Sequence, residues 1–590
     1  VAAAVGPGEW RAERGSEETP SDEELPAKAY TLASTASGAT ASTTGTLRSN
    51  SVSSISTEMA ETGVEVAQTG SWRQDLREVL LSGWPNSVTM VSEFLPGFAM
   101  LSFLGSDTNH LAGAGMGFMY QNVTGMSLII GFGAGAQPLI SQAHGAKNWQ
   151  RCGELLQRQL LIHMAVVLAI GAFWLQTESV LLAFRQPALI ARLTADFVLW
   201  RVVALPFLAV KEDLKVYLVA QNKMIAPMVV AFVANALTIV GFSPLIAAYG
   251  FAGAPLSLTL GNVVQAILMV AVTRGCLDSD EAWPQWRLRT ALSGWWEILV
   301  LAFPGGALML CEWWGWEVNL FFAGLLCKDA SGCLELDVFP VLSSTMVISF
   351  MPHFGFSIAA STRVGNALGA GNWVLARRTS KLTLWLAGAI SGTTAGIVVL
   401  FRKSWGFMFS DDEGVVALTG QVLPLIGAYI FLDALGPGAL VNVFRSMGVV
   451  KLPALINFLS FYVVGIPFGL WLTFGTGHET WGVYGLWAGL VLGMLTMVVC
   501  LLPFLLCCVD WQAVAQQAQT RSQAVPLDET PVKAVHTELQ AAKDAKPVLQ
   551  KARKRSYEPV VAQEEENERL PCQPISEESS LACELATHRC

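Results

Sequence analysis

Between residues 78 and 509 the chain alternates long apolar runs with short polar breaks. Twelve runs are long enough to cross roughly 30 Å of hydrocarbon. They fall near 80–103, 112–136, 155–176, 197–219, 227–248, 254–273, 298–326, 338–358, 380–401, 421–444, 453–475 and 483–508. The breaks carry turn or charge signals, as at Asn222-Lys223, Gly275 to Pro284 and Gly475-Thr476-Gly477. The pattern predicts an all-α polytopic membrane protein, with the seventh and eighth spans least sharply bounded. Composition agrees: 53% of residues are hydrophobic and only 14% charged, against about 25% charged in soluble domains.

The charge that remains sits mostly in the tails. Of the net −9, residues 1–70 contribute −6 and 513–590 contribute −2, so the acidic balance says little about a partner. Both tails are polar enough to be expected disordered. Residues 1–70 hold no apolar run of signal-peptide pattern, and the sequence opens on Val1, as expected of a chain whose start lies upstream. Lys551 to Arg555 form a basic run that reads as a solvated stretch, with an anionic-lipid patch as the rarer alternative. Eleven cysteines make no framework; Cys327 and Cys333 share one predicted loop and could pair in an oxidising lumen.

Orientation follows from basic residues. Loops after even-numbered spans, with their edges, hold fifteen, including Lys147, Arg151, Lys211, Lys215, Arg363, Arg378 and Arg445; loops after odd-numbered spans hold five. The bias places the even loops and both termini in the cytosol.

The chain also repeats itself. Gly145-Ala146-Lys147-Asn148-Trp149 follows the second span and Gly369-Ala370-Gly371-Asn372-Trp373 the eighth, 224 residues later. Pro227 and Pro453 open the fifth and eleventh spans, and Gly250-x-x-Gly253 and Gly482-x-x-Gly485 lead into the sixth and twelfth. An offset of six spans keeps both copies on the same side of the membrane. Two six-helix lobes related by a pseudo-two-fold along the membrane normal are therefore expected, with substrate near the midplane. The expected layout is a tail over 1–75, an N-lobe over 76–275, a linker over 276–297, a C-lobe over 298–510 and a tail over 511–590.

Five runs carry a family resemblance: GFGAGAQPLISQAHGA over 131–146, LAFRQ over 182–186, MLCEWW over 309–314, GFSIAASTRVGNALGAG over 355–371 and YVVGIP over 462–467. In these the chain resembles the eukaryotic branch of the multidrug and toxic compound extrusion (MATE) transporters, over about 78–510. The resemblance implies twelve helices in two lobes and export of organic cations or other xenobiotics by antiport.

Glu312 stands in the middle of the seventh apolar run. A carboxylate at that depth costs on the order of 2.5 kcal/mol or more, which points to a proton or cation handle rather than packing. An antiporter needs one group for which a proton and a cationic substrate compete. Asp433, near the middle of the tenth span, is the second candidate, because two nearby acids couple their titrations. Both positions align with acids of the resembled family. Glu317 follows Glu312 by five residues, so the two point about 140° apart, and Glu317 is expected to be a secondary or vestibule charge. Trp313 and Trp316 offer aromatic faces for cations. Gln121, Asn122, Tyr429 and Tyr462 are polar groups at depth that could line the cavity, as could Glu93 on the first span. Lys211-Glu212-Asp213-Leu214-Lys215 in the fourth span reads as a self-neutralising cluster, either a gate or a surface feature. His163 and His353 read as satisfied polar side chains, with a proton relay as the alternative.

The chain departs from the family in two places. Bacterial members carry an acid in the first span where this chain has Met100, and some eukaryotic members carry one in the eighth span where it has Ser343. The expected activity is proton-coupled export of organic cations, by a monomer in the plasma or vacuolar membrane. Sodium coupling, or anionic (citrate, flavonoid) or lipid-linked cargo, stays open as an alternative, although no lysine or arginine is apparent at mid-depth outside the 211–215 cluster. A non-transporting membrane protein is the distant alternative. No nucleophile–base pair, metal cluster or ATP loop is visible, so no enzymatic activity, metal, cofactor or nucleic-acid partner is expected.

Overall fold

The computed structural model describes residues 71–523 apart from 106, 284, 287, 327–333 and 476–480. The tails up to residue 70 and from 524, the basic run 551–555 and the Cys327/Cys333 pair lie outside the described residues. Twelve long apolar helices follow one another: α1 (Trp72–Leu104), α2 (Thr108–Gly145), α3 (Trp149–Trp174), α4 (Ala188–Ala220), α5 (Ile225–Tyr249) and α6 (Gly253–Cys276). The second half holds α7 (Trp295–Gly324), α8 (Leu334–Gly369), α9 (Trp373–Leu400), α10 (Glu413–Ser446), α11 (Lys451–Gly475) and α12 (Gly482–Cys508). The 52-residue apolar stretch 225–276 is two helices rather than one, turned back on itself at Gly250 (φ 60°).

Hydropathy ends two helices early for one reason. α2 runs to 145 and α8 to 369, well past the expected 136 and 358, because their polar last turns face the other lobe rather than lipid. Their ends then close in matching ways. Lys147 (φ 58°) and Gly371 (φ 77°) are left-handed, and the next amide in each case reaches back to a helix carbonyl: Asn148 to Ala143 at 2.9 Å and Asn372 to Ala367 at 2.8 Å. The same asparagines then cap α3 and α9, accepting from the amides of Arg151 and Leu375. Asn222 (φ 63°) and Gly448 (φ 78°) repeat the device after α4 and α10. The sequence repeat is thus a repeat of backbone conformation.

Within the N-lobe α4 packs on α6, α5 on α6 and α1 on α5; across the lobes α2 packs on α7 and α1 on α8. A rotation that exchanges α1 with α7 and α2 with α8 maps one inter-lobe contact onto the other. Small residues let these backbones touch. A methyl on Gly131 would come 2.5 Å from Gly306 Cα, and one on its repeat mate Gly355 would come 2.4 Å from Ser87 Cα. The α2 and α8 ends cross reciprocally: Gly145 lies on the Asn366 carbonyl and Gly369 on that of Gln142. Within the C-lobe Gly485, Gly489 and Gly493 of α12 lie against α11 at Thr473, Gly469 and Gly465, where a methyl on Gly489 would meet the Gly465 carbonyl at 2.5 Å.

Acids at the entries of α1 and α7 lock this end. Asp75 pairs with Arg363 of α8 at 2.7 Å and with Arg378 of α9, and Glu78 also pairs with Arg363. Glu297 pairs with Arg151 of α3 and, at 3.8 Å, with Arg158. A further helix, α13 (Trp511–Ser522), lies where an unstructured tail is expected. Trp511, Ala515 and Ala518 sink into the apolar core between α8, α10 and α12, which is what orders this otherwise polar segment. Its last residues strap both lobes: the Ser522 carbonyl accepts from Asn148 Nδ2 at 2.9 Å, and Arg521 donates to the Met447 carbonyl at 3.2 Å.

Several helices widen to π-helical turns, at Asn122–Met126 in α2, Ala434–Val441 in α10, and Leu459–Gly465 and Trp471–Gly475 in α11. Two of these flank the site, as π turns often do.

Candidate functional site

A cavity of about 450 Å³ lies between the lobes, bordered by α1, α2, α4, α5, α6, α7, α8 and α10. α7 crosses it with Leu308, Met309, Glu312, Trp313, Trp316 and Glu317. At about 100° per residue these positions cover about half the helix circumference, which reconciles the expected angle between Glu312 and Glu317 with their sharing one cavity. Glu317 is thus a second wall carboxylate. Glu312 is 5% exposed and shares the cavity wall with Arg445, with no salt bridge between them among the described residues.

Asp433 does not reach the cavity. It is 1% exposed and sits where α10 passes into its π turn, with Oδ1 left without a hydrogen-bond partner among the described residues. α10 reaches the wall with Pro437, Val441 and Arg445 instead, so Asp433 lies behind it. Tyr429 and Tyr462 are corrected in the same way. Tyr429 is fully buried against Trp487 and accepts from Trp316 Nε1 at 2.9 Å. Tyr462 stacks on Phe458 and donates to the Cys311 carbonyl at 3.1 Å. Both hold α7 in place instead of lining the cavity. His353 packs its imidazole against Gly438 in the α10 π turn and bonds the Ser349 carbonyl through Nδ1.

The N-lobe wall carries Glu93, Gln121, Asn122, Lys211, Glu212 and Lys215. The α4 cluster is neither exposed nor confined to its own helix. Lys215 touches Glu93 at 2.9 Å and Glu212 at 2.6 Å, and Lys211 touches Glu212 at 2.8 Å and Glu93 at 3.5 Å. Two acids and two amines close a buried square between α1 and α4. Asp213 points the other way, to His163 Nδ1 at 2.7 Å, both fully buried. Met100 is core, while Ser343 borders the cavity.

Sequence reasoning missed two residues here. Arg201, well inside α4, borders the cavity and donates Nε to Gln121 Oε1 at 2.9 Å. Arg445, read as a cytosolic loop edge, is 7% exposed and borders the cavity from the end of α10. The expectation of no basic residue at depth outside 211–215 is therefore corrected. Arg201 was legible as a lone arginine in an apolar run; Arg445, at the polar edge of its run, carried no such signal. Without Lys211, Lys215 and Arg445, the basic bias toward even loops is still twelve against five. Four acids and four bases border the cavity in all, with the unsquared acids on the C-lobe side.

Two stretches of the chain, 85–245 and 304–471, one in each lobe, match the model of the MatE family. Multidrug and toxin extrusion protein 1 of Homo sapiens is 31% identical over 463 residues, covering 78% of this chain and 79% of the relative. Multidrug and toxin extrusion protein 2 of Mus musculus is 31% identical over 403 residues, 68% of each chain. The solved structure of the eukaryotic MATE transporter AtDTX14 superposes with a TM-score of 0.71 at 23% identity, over 77% of this chain and 100% of that one. With its twelve helices in two lobes, the chain belongs to the MatE family and is an integral multi-pass membrane transporter, not an enzyme.

Proposed function

We propose that this protein exports organic cations in exchange for protons, its lobes exposing the cavity alternately to the two sides of the membrane. The observation that carries the reading is the C-lobe wall. Glu312 and Glu317 stand on a mostly apolar cavity beside Trp313 and Trp316, an arrangement that suits a planar or quaternary cation through charge and cation–π contact. The relatives named for multidrug and toxin extrusion support the same cargo class. Glu312 is the group contested by proton and cargo, and Asp433 behind it biases that contest. Both termini face the cytosol of a plasma or vacuolar membrane, and the protein works as a monomer. On this orientation the crossing of α2 and α8 seals the cytosolic side.

The test is uptake of a fluorescent organic cation into proteoliposomes under an imposed pH gradient, wild type beside Glu312→Gln and Asp433→Asn. Gradient-driven flux in the wild type and at least about a tenfold loss in Glu312→Gln, the cost of losing one charge-assisted contact, are expected. Unchanged rate and pH dependence in both variants would overturn the role of these acids. Flux that follows sodium would overturn proton coupling, and no cation flux would overturn the cargo class.

A further inference from the structure

Among the described residues, Arg201 is the one base on the cavity wall whose charge meets no acid. It is 6% exposed and borders the cavity from α4. Among the described residues its guanidinium forms no salt bridge, and its partners are neutral. Nε donates to Gln121 Oε1 at 2.9 Å, and Nη1 to Thr259 Oγ1 at 3.4 Å. Asn262, with its amide oxygen turned inward, accepts from Nη2 at 2.9 Å and Nη1 at 3.3 Å. The other bases on the wall are compensated: Lys211 and Lys215 by Glu93 and Glu212, Arg445 by the field of Glu312.

Three dipoles from α2 and α6 therefore fix the guanidinium without supplying a countercharge. An isolated buried charge is costly, and dipoles recover only part of that cost. A guanidinium held in this way, facing a cavity, matches an oxyanion, which it can meet with its uncompensated charge and the one Nη2 N–H that these bonds leave free. We propose that Arg201, oriented by Gln121 and Asn262, is an anion subsite that takes the carboxylate or sulfonate of an amphoteric cargo, whose cationic end lies on the Glu312 and Glu317 wall. The proposal rests on reading this cavity as the cargo site. It makes the cavity dipolar, basic on the N-lobe side and acidic on the C-lobe side, so a molecule bearing both charges satisfies both walls.

The experiment compares an aromatic amino acid with its methyl ester, which keeps shape and amine but lacks the anion. Binding is read first by thermal shift of the purified full chain, which needs no flux and so separates this proposal from the transport reading. The acid is expected to bind about tenfold or more tightly than the ester, as a hydrogen bond to a charged group implies. In Arg201→Gln the ratio collapses toward one, and Asn262→Asp, which places a carboxylate on the guanidinium, collapses it as well. The N-acetylated acid, an anion without the amine, separates the two sources of the oxyanion. Binding weaker than that of the amphoteric acid supports amphoteric cargo, and equal or tighter binding overturns that part. Equal binding of acid and ester to the wild type, or a ratio that survives in both variants, overturns the subsite and leaves Arg201 as a bolt between α2, α4 and α6.

Discussion

Replacing Gly369 with alanine adds one methyl at the point where α8 crosses α2. That methyl would sit 1.9 Å from the Gln142 carbonyl oxygen and 2.7 Å from its carbon, against the ~3.5 Å at which such atoms rest. The neighbour is backbone in the last turn of a helix, so no rotamer change can make room. The two helices must part by about 1.5 Å, or this end of the lobe interface must open. Overpacking of this kind costs about 1–3 kcal/mol. On the proposed alternating cycle the cost falls only on the arrangement with this end closed, so its population relative to the open one falls about 5- to 150-fold. A cysteine at position 446, whose carbonyl is bonded by Gln142 at 2.8 Å, reads this out in a chain otherwise free of cysteine. Labelling by a membrane-impermeant maleimide from the α2/α8 side should accelerate by that factor. Gly145→Ala, whose methyl would sit 2.0 Å from the Asn366 carbonyl, should do the same, and the double variant should cost less than the sum because the first methyl has already parted the helices. Labelling that stays at the wild-type rate in both single variants would refute the idea that this crossing holds the end shut.

Asp75→Asn removes the acid shared by Arg363 and Arg378. With both arginines partly solvated, it should weaken the same closure by about 1–2 kcal/mol, seen as roughly tenfold faster labelling at position 446; an unchanged rate would make the pairs ornamental. Deleting the chain from Trp511 removes α13 and its bonds to Asn148 and Met447, so amide exchange should quicken at 144–150 and 445–450 while α5 and α6 stay protected. Gly489→Val drives a side chain into the Gly465 carbonyl and Gly469 Cα, and should lower the melting temperature by an amount equivalent to about 1–3 kcal/mol. Gly275→Ala, with nothing within 4 Å, should leave the melting temperature in place.

What could be read from the sequence was whatever depends on lipid or on local backbone chemistry. All twelve spans, the six-helix offset and the motif ends at Asn148 and Asn372 were visible there, because hydropathy and turn residues are local signals. The extensions of α2 and α8 were not, since their last turns are polar and gain their burial from the partner lobe. Glu312 stood out as a charge in an apolar run. Arg201 is the same kind of signal, a lone charge in an apolar run, and differs only in lying nearer the basic residues of 211–223, at the end of its helix. Asp433, Tyr429 and Tyr462 lie off the wall because of which helix face turns to the cavity, and an apolar run with polar residues on several faces does not reveal that from hydropathy.

The reciprocal crossing of Gly145 on Asn366 and Gly369 on Gln142 has the form of a contact between identical subunits, in which each patch meets its own likeness. The molecule can be regarded as a dimer whose two protomers share one polypeptide, continuous through the connector from 277 to 294. That view separates what the fold must keep from what it is free to change. The seam is constrained twice over, since any substitution on one side must suit the matching face on the other. The cavity walls carry no such obligation, and there the two copies have drifted apart in charge, one basic and one acidic. A connector cut between residues 277 and 294 would leave two six-helix pieces that still present complementary faces to each other, and to copies of themselves.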